Sequence, residues 1–220
     1  MRKLTTRMEY AIFQKTILLI LLLTLPNYFF AQTFQKIADS LVQRLPLVTE
    51  PTKHVDLLNE IAYTYRRISG DSTLKYAQIA ATKALIANNI KGESIAHKNI
   101  GIAHYKFNSP KDSMVVHYKK AIALAEKIDD YYTQAACNNN IALLYSYQKD
   151  PFRAINHYLR GIEIFDKHIK EDKSLKALML ANVAHFQLTI DNNEKALHYI
   201  ERAFDIARRN DYSIILTNYS

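Results

Sequence analysis

The 220-residue sequence has no tryptophan, one cysteine and four glycines, and each shortage removes a class of structure or chemistry. With Cys137 alone, no disulfide can close within the chain, so the fold must rest on packing. Cys137 lies among Ala135, Ala136 and Ile141, where it reads as a small buried hydrophobe; a bridge between two chains is the other reading. Few glycines and no alternating apolar and polar runs leave nothing from which to build a sheet. There is no Gly-rich phosphate loop, no HExxH run, no paired cysteines at metal spacing and no serine in a nucleophile turn. The chain therefore reads as all-α and as no enzyme, with no catalytic residue, cofactor or metal site expected. Asp129-Asp130 and Asp191-Asn192-Asn193-Glu194 lack the glycine and the alternating oxygens of a calcium loop. His97 and His104 stand two helical turns apart on one side, but no carboxylate falls at a helical spacing between them.

Basic residues outnumber acidic ones, 29 to 21. Part of that excess sits at the start, where Arg2, Lys3, Arg7 and Lys15 precede the apolar run Thr16 to Leu25, Pro26 and Phe29-Phe30-Ala31-Gln32. A charged start, a short apolar core and a small residue before a polar one describe a secretory signal peptide over 1–31, cleaved after Ala31. The run is short for a spanning helix, and Phe29 leaves an uncleaved anchor as the alternative. Without residues 1–31 the net charge falls from +8 to +5, because four bases and one acid go with them. The remaining Lys and Arg are spread along the whole chain, so no nucleic-acid surface is expected. The expected place is outside the cytoplasm, periplasmic or secreted, with a membrane tie only through an uncleaved leader or a part beyond residue 220.

What the sequence does have is a register. The small residues Ala62, Gly101, Ala142 and Ala184 recur at steps of 39, 41 and 42, each preceded by Ile61, Ile100, Ile141 or Val183. In step with them run Thr73, Ala77, Ala80; Met114, Tyr118, Ala121; Ala154, Tyr158, Gly161; and Ala196, Ile200, Ala203. Spacings of four and three put these on one helix face, and a fixed period of this size means a solenoid. Asp71, Ser109, Asp150 and Asp191 fall between the two halves of each copy as helix N-caps, with Ser109-x-x-Asp112 and Asp191-x-x-Glu194 as capping boxes. Apolar Phe34, Ile37, Leu41 and Leu45 describe one further amphipathic helix that covers the open end. The expected core is Ile61, Tyr65, Ala77, Ile100, Tyr118, Ala121, Ile141, Tyr145, Ala154, Tyr158, Val183, Ala196 and Ala203.

This set resembles the tetratricopeptide repeat (TPR) family, whose pattern runs Leu-Gly-x-x-Tyr in a first helix and Ala-x-x-x-Phe in a second. Ile141-Ala142-x-x-Tyr145 and Ala154-x-x-x-Tyr158 match it best; His104 and Gln187 stand where the first-helix Tyr is expected. The period here exceeds the family's roughly 34 residues by one to two helical turns. The resemblance implies a right-handed superhelical solenoid of antiparallel helix pairs. With the leader at 1–31 and a cap and connection at 32–53, the resemblance organises the rest as four repeats at about 54–90, 93–128, 131–170 and 173–209, and the start of a fifth at 210–220.

In that family the first helices line a concave groove. Asn99, Asn140 and Asn182 each lie two residues before a first-helix small residue, so a stacked array would set them in a row; Glu60 stands at the first copy's place. An amide donates and accepts and can hold any peptide unit. The alternative is that these side chains bond neighbouring helices across the repeat interface. Groove neighbours would be Asn59, Tyr63, Arg66, Lys98, Ile102, Tyr105, Lys106, Asn139, Leu143, Tyr147 and His185, and Arg66, Lys98 and Lys106 suggest an acidic or carboxylate-ended partner. Tyr212, Ile214, Ile215, Leu216 and Tyr219 would open a fifth repeat, an apolar surface suited to self-association or to a following part of a longer protein. Two functions follow as expectations. One is an exported scaffold that binds a protein or peptide segment; the other, implied by the resemblance, is the outer sensory part of a bacterial membrane regulator with a kinase or DNA-binding output.

Overall fold

The computed structural model describes residues 32–106, 111–170 and 173–209, and at 105, 106, 111 and 112 it gives the backbone alone. The leader, the Ser109-Pro110 turn, the box that Ser109 would form and the segment 210–220 lie outside the described residues. Helix α1 covers 32–44 and runs into a single 3-10 turn at Leu45–Leu47. There follow α2 (Pro51–Tyr65), α3 (Gly70–Ile86), α4 (Ile90–Lys106), α5 (Lys111–Glu126), α6 (Tyr131–Tyr147), α7 (Pro151–His168), α8 (Ser174–Thr189) and α9 (Asn193–Arg209). Among the described residues there is no strand. Each helix packs on the next in order, so α2–α3, α4–α5, α6–α7 and α8–α9 are four antiparallel pairs in a stack.

The small-residue register is what lets the pairs close. Ala62 and Ala142 are wholly buried, and a Cβ placed on Gly101 would stand 2.7 Å from the Tyr118 ring, so the glycine is the only side chain with room there. The expected core is buried, apart from Tyr65 and Tyr145, which are half-buried. Those two rings lie at the edge of each pair, parallel to a second-helix ring: Tyr65 with Tyr76 at 5.6 Å and Tyr145 with His157 at 5.6 Å. In the second pair the same place holds His104 and His117, 5.5 Å apart. The cap helix turns most of the expected face inward, Leu45 packing beside Leu41, with Ile37 the exception. Ala38 and Leu41 are buried and Leu41 packs with Leu57 and Ile61, whereas Ile37 stays 44% exposed.

The turns correct two of the capping assignments. Asp150 does cap α7, accepting from the backbone N–H of Arg153 at 3.0 Å. But α3 is capped by Ser69, with Asp71 inside its first turn, and α9 by Asn192, which accepts weakly from Lys195. At α9 the shift has a plain cause: Asp191 is not a cap but a left-handed residue, φ 57°, and it belongs to a recurring two-residue joint. Asn88, Asp129, Lys149 and Asp191 all have φ between 52° and 57°, and the next residue in each case, Asn89, Asp130, Asp150 or Asn192, sends its N–H back to Ala84, Ala125, Tyr145 or Gln187. That bond closes one helix in the Schellman manner while the same residue caps the next. A chain with four glycines fills these positions with Asn, Asp and Lys instead. The left-handed region costs a side chain about 1 kcal/mol that glycine escapes. Lys149→Gly, at an exposed position, is therefore expected to raise unfolding stability by about 0.5–1 kcal/mol, read as a higher urea midpoint at unchanged slope.

Candidate functional site: the wall of first helices

Helices α2, α4 and α6 touch one another directly as well as their own partners, so they form one continuous wall. Two depressions open on it. The smaller, about 160 Å³, lies between repeats: Arg66 comes from the end of α2, Ile102 from α4, Met114 and Tyr118 from α5, and Asn140, Leu143, Leu144 and Tyr147 from α6. The wider one, about 670 Å³, is bordered by Asp56, Asn59, Glu60 and Tyr63 of α2, by Lys91, Ile95 and Lys98 of α4, and by Tyr132 of α6.

The row of asparagines divides. Asn140 is half-buried and borders the smaller cavity with Arg66 and Tyr147. Asn99 does not face the groove at all: it is fully buried, and its amide donates to the Asn59 carbonyl at 3.2 Å. Asn59 in turn donates to the Gly92 carbonyl at 2.9 Å, so these two side chains stitch α4 to α2, which is the interface role. Asn139 is buried too, 6% exposed, with its amide 3.4 Å from Asn140 Oδ1. Asn182, on α8, is half-buried and borders neither depression. Tyr105 and Lys106 end α4, and their side chains lie outside what is described. His185 is exposed on α8 beside Phe186, away from both cavities. The second-helix residues Met114 and Tyr118, which floor the smaller cavity, had appeared only as packing residues in the repeat register.

Two cations give the wall its character. Arg66 lays its guanidinium 3.9 Å over the Tyr63 ring, and its Nε has no protein partner. Burial pulls its proton affinity down, with Tyr63 acting the other way and Arg67 adding to the fall. Lys98, mostly buried, is also held below its ordinary value by burial, against the pull of Cys137 and Asp130, with Arg66 pushing further down. Lys98 belongs to none of the ion pairs among the described residues. A partly buried cation with no carboxylate in ion-pair contact favours an anion brought from outside. Asp56 and Glu60 also edge the wide depression, so its rim carries both signs beside Lys91 and Lys98, while Arg66 is the one charged residue that lines the smaller cavity. Cys137, behind this wall, is fully buried with its thiol pushed up to about 12 by burial, which makes it a packing residue rather than a nucleophile. Among the described residues no three His, Cys, Asp or Glu side chains converge on a point that could hold a metal ion.

No protein-family model matches the sequence, and no curated protein is similar to it in sequence. Solved structures are similar in fold. The Rap conjugation gene regulator of plasmid pLS20, solved with the Phr* peptide, superposes with a TM-score of 0.71 at 16% identity, covering 87% of this chain and 53% of that one. Aspartyl phosphate phosphatase F from Bacillus subtilis gives 0.73 at 15%, covering 86% and 48%. A kinesin light chain protein of nearly identical TPR-like repeats from Podosopora anserina gives 0.59 at 11%, covering 84% and 93%. The chain thus has a TPR-like helical-repeat fold, and it spans about half the length of the first two.

Proposed function

We propose that this chain is an exported scaffold that holds an extended protein or peptide segment against the wall of α2, α4 and α6, with no chemistry of its own. One observation carries the reading. Arg66 from the first repeat and Asn140 and Tyr147 from the third meet around an apolar floor of Ile102, Leu143 and Met114 in a cavity the size of one large side chain. An apolar pocket with an amide and a cation at its rim suits a peptide: the side chain enters and the backbone meets Asn140. Arg66 and Lys98 favour an acidic group or a free carboxylate next to that side chain. That a protein of this fold was solved with the Phr* peptide supports a peptide partner here. The charged and apolar start of the sequence supports export.

The test uses a displayed random-peptide library panned on the full chain, with selected peptides measured by fluorescence anisotropy. Asn140→Ala is expected to weaken them about tenfold, the loss of one or two hydrogen bonds, with Tm moved by no more than about 2 °C. Binding untouched and stability sharply reduced would instead make Asn140 an interface residue and end the groove reading.

A further inference from the structure

The ring pair at the edge of the first three repeats is a packing device, and the second repeat has built it from imidazoles alone. Where the third repeat sets Asn138, Tyr145 and His157, the second sets His97, His104 and His117, at offsets of 41, 41 and 40. The third repeat shows what packing needs at this place. Asn138 Oδ1 lies 3.1 Å from His157 Nδ1, and that oxygen accepts a hydrogen bond from the Nδ1–H both of the charged ring and of the neutral tautomer that keeps its hydrogen there. In the second repeat His97 Nδ1 and His117 Nδ1 face each other at 3.0 Å. A contact between two imidazole nitrogens holds only while a single proton lies between them.

The geometry favours a proton over a metal ion. The ring centroids are 5.2 Å apart and the planes differ by 21°, so with nitrogens 3.0 Å apart the rings meet edge to edge, nearly coplanar. An ion on that line would need about 2 Å to each nitrogen and has no room. The pair is also enclosed. His97 is 8% exposed; on its own helix Glu93 reaches its Nε2 at 3.7 Å, and Lys120 of α5 already holds Glu93 at 3.0 Å. His104 lies against the other side of His117. The charged and titratable groups acting on the two rings are therefore Glu93, Lys120 and His104, all from α4 and α5.

We propose that the His97–His117 contact is a proton-operated latch between α4 and α5, closed at neutral pH and driven apart in mild acid when both nitrogens become protonated. Its opening reaches the wall, because Ile102 of α4 and Met114 and Tyr118 of α5 bound the smaller cavity. Insofar as that cavity is the binding site, acid would release what it holds, a consequence that rests on the reading above; the latch itself does not.

The sign is fixed by linkage. Burial, then Lys120 and His117, lower His97 to about 4 against the opposing pull of Glu93, and burial, His104 and Lys120 lower His117. An unfolded histidine takes its proton near pH 6.5, so between there and about 4 the unfolded chain binds more protons. The latch stabilises fully above about pH 6.5 and is lost as pH falls towards 4.

The test is the melting temperature of the full chain, without ligand, at pH 7.5 and 4.5. His97→Asn, which installs the third repeat's chemistry, is expected to hold its Tm at pH 7.5 and to shrink the acid-induced fall by about 5 °C. Asn138→His, which installs the second repeat's chemistry in the third, is expected to deepen it. In the unaltered chain, NMR should show His97 titrating below pH 5.5. Parallel pH profiles for wild type and His97→Asn, or a His97 midpoint above 6, would overturn the latch. So would a Tm raised by zinc at pH 7.5 and abolished by His97→Asn, since a metal would then occupy the place given to the proton. None of these readouts involves a peptide, so failure here leaves the groove reading intact, and the converse holds.

Discussion

Tyr158→Ala is expected to cost about 4 kcal/mol of unfolding stability. Tyr158 is 1% exposed and among the largest fully buried side chains, in the cluster that joins α6, α7 and α8 through Ala142, Ile162, Met179 and Val183. Its ring lies 6.3 Å from that of Phe186 on α8, so truncation removes a packing partner from two repeats at once. The hole would be lined by residues fixed on three helices, which limits collapse, and the cavity penalty adds to the lost transfer energy. Urea unfolding followed by circular dichroism measures it. Tyr158→Phe keeps the ring and is expected to lose no more than about 1.5 kcal/mol. A Tyr158→Ala loss under about 1 kcal/mol would mean that the third and fourth repeats hold together by something other than this cluster.

Gly161→Val should be nearly as damaging, at about 3 kcal/mol, for the opposite reason. A Cβ at Gly161 would stand 2.6 Å from Met179 Sδ and 3.4 Å from the Ala135 carbonyl. Ala80, Ala121 and Ala203 hold the same place in the other repeats, so the position asks for a small side chain, and Met179 of α8 is what reduces small to none. Met179→Ala in the same chain is expected to recover part of the loss, because the two side chains compete for one space. Simple additivity in that cycle would show that the valine acts through the helix backbone instead.

The same two residues show why the repeat was legible in the sequence. Helices that cross closely need small side chains at the crossing, and a stack needs them at a fixed period; Ala62, Gly101, Ala142 and Ala184 therefore had to recur, and they lie where expected. Directions around a helix were harder to read. Asn99 and Asn140 hold equivalent positions in sequence, yet one bonds across to Asn59 and the other borders a cavity. What separates them is the residue on the neighbouring helix, the asparagine at 59, which the period alone does not bring into view. The caps missed at Asp71 and Asp191 were off by one or two residues because an acid beside a turn serves equally as cap, first-turn residue or left-handed joint. Arg66, Asn140 and Tyr147 were placed in one groove by the resemblance, as residues of first helices, and one cavity does bring them together; that Met114 and Tyr118 form its floor depends on how deeply the second helices reach between the first, a matter of crossing geometry.

The stack is also uneven, and unevenness gives it mechanics. Helix α3 lies along α4 as closely as the two helices of a repeat lie on each other, whereas α5 meets α6 and α7 meets α8 over less of their length. Under tension the first two repeats should behave as one stiff block and the seams ahead of α6 and α8 as compliant joints. The smaller cavity straddles the first of those joints, with Met114 and Tyr118 on one side and Asn140, Leu143 and Tyr147 on the other. A segment held there would bridge the joint and stiffen it, and a pull on the ends of the stack would loosen such a hold.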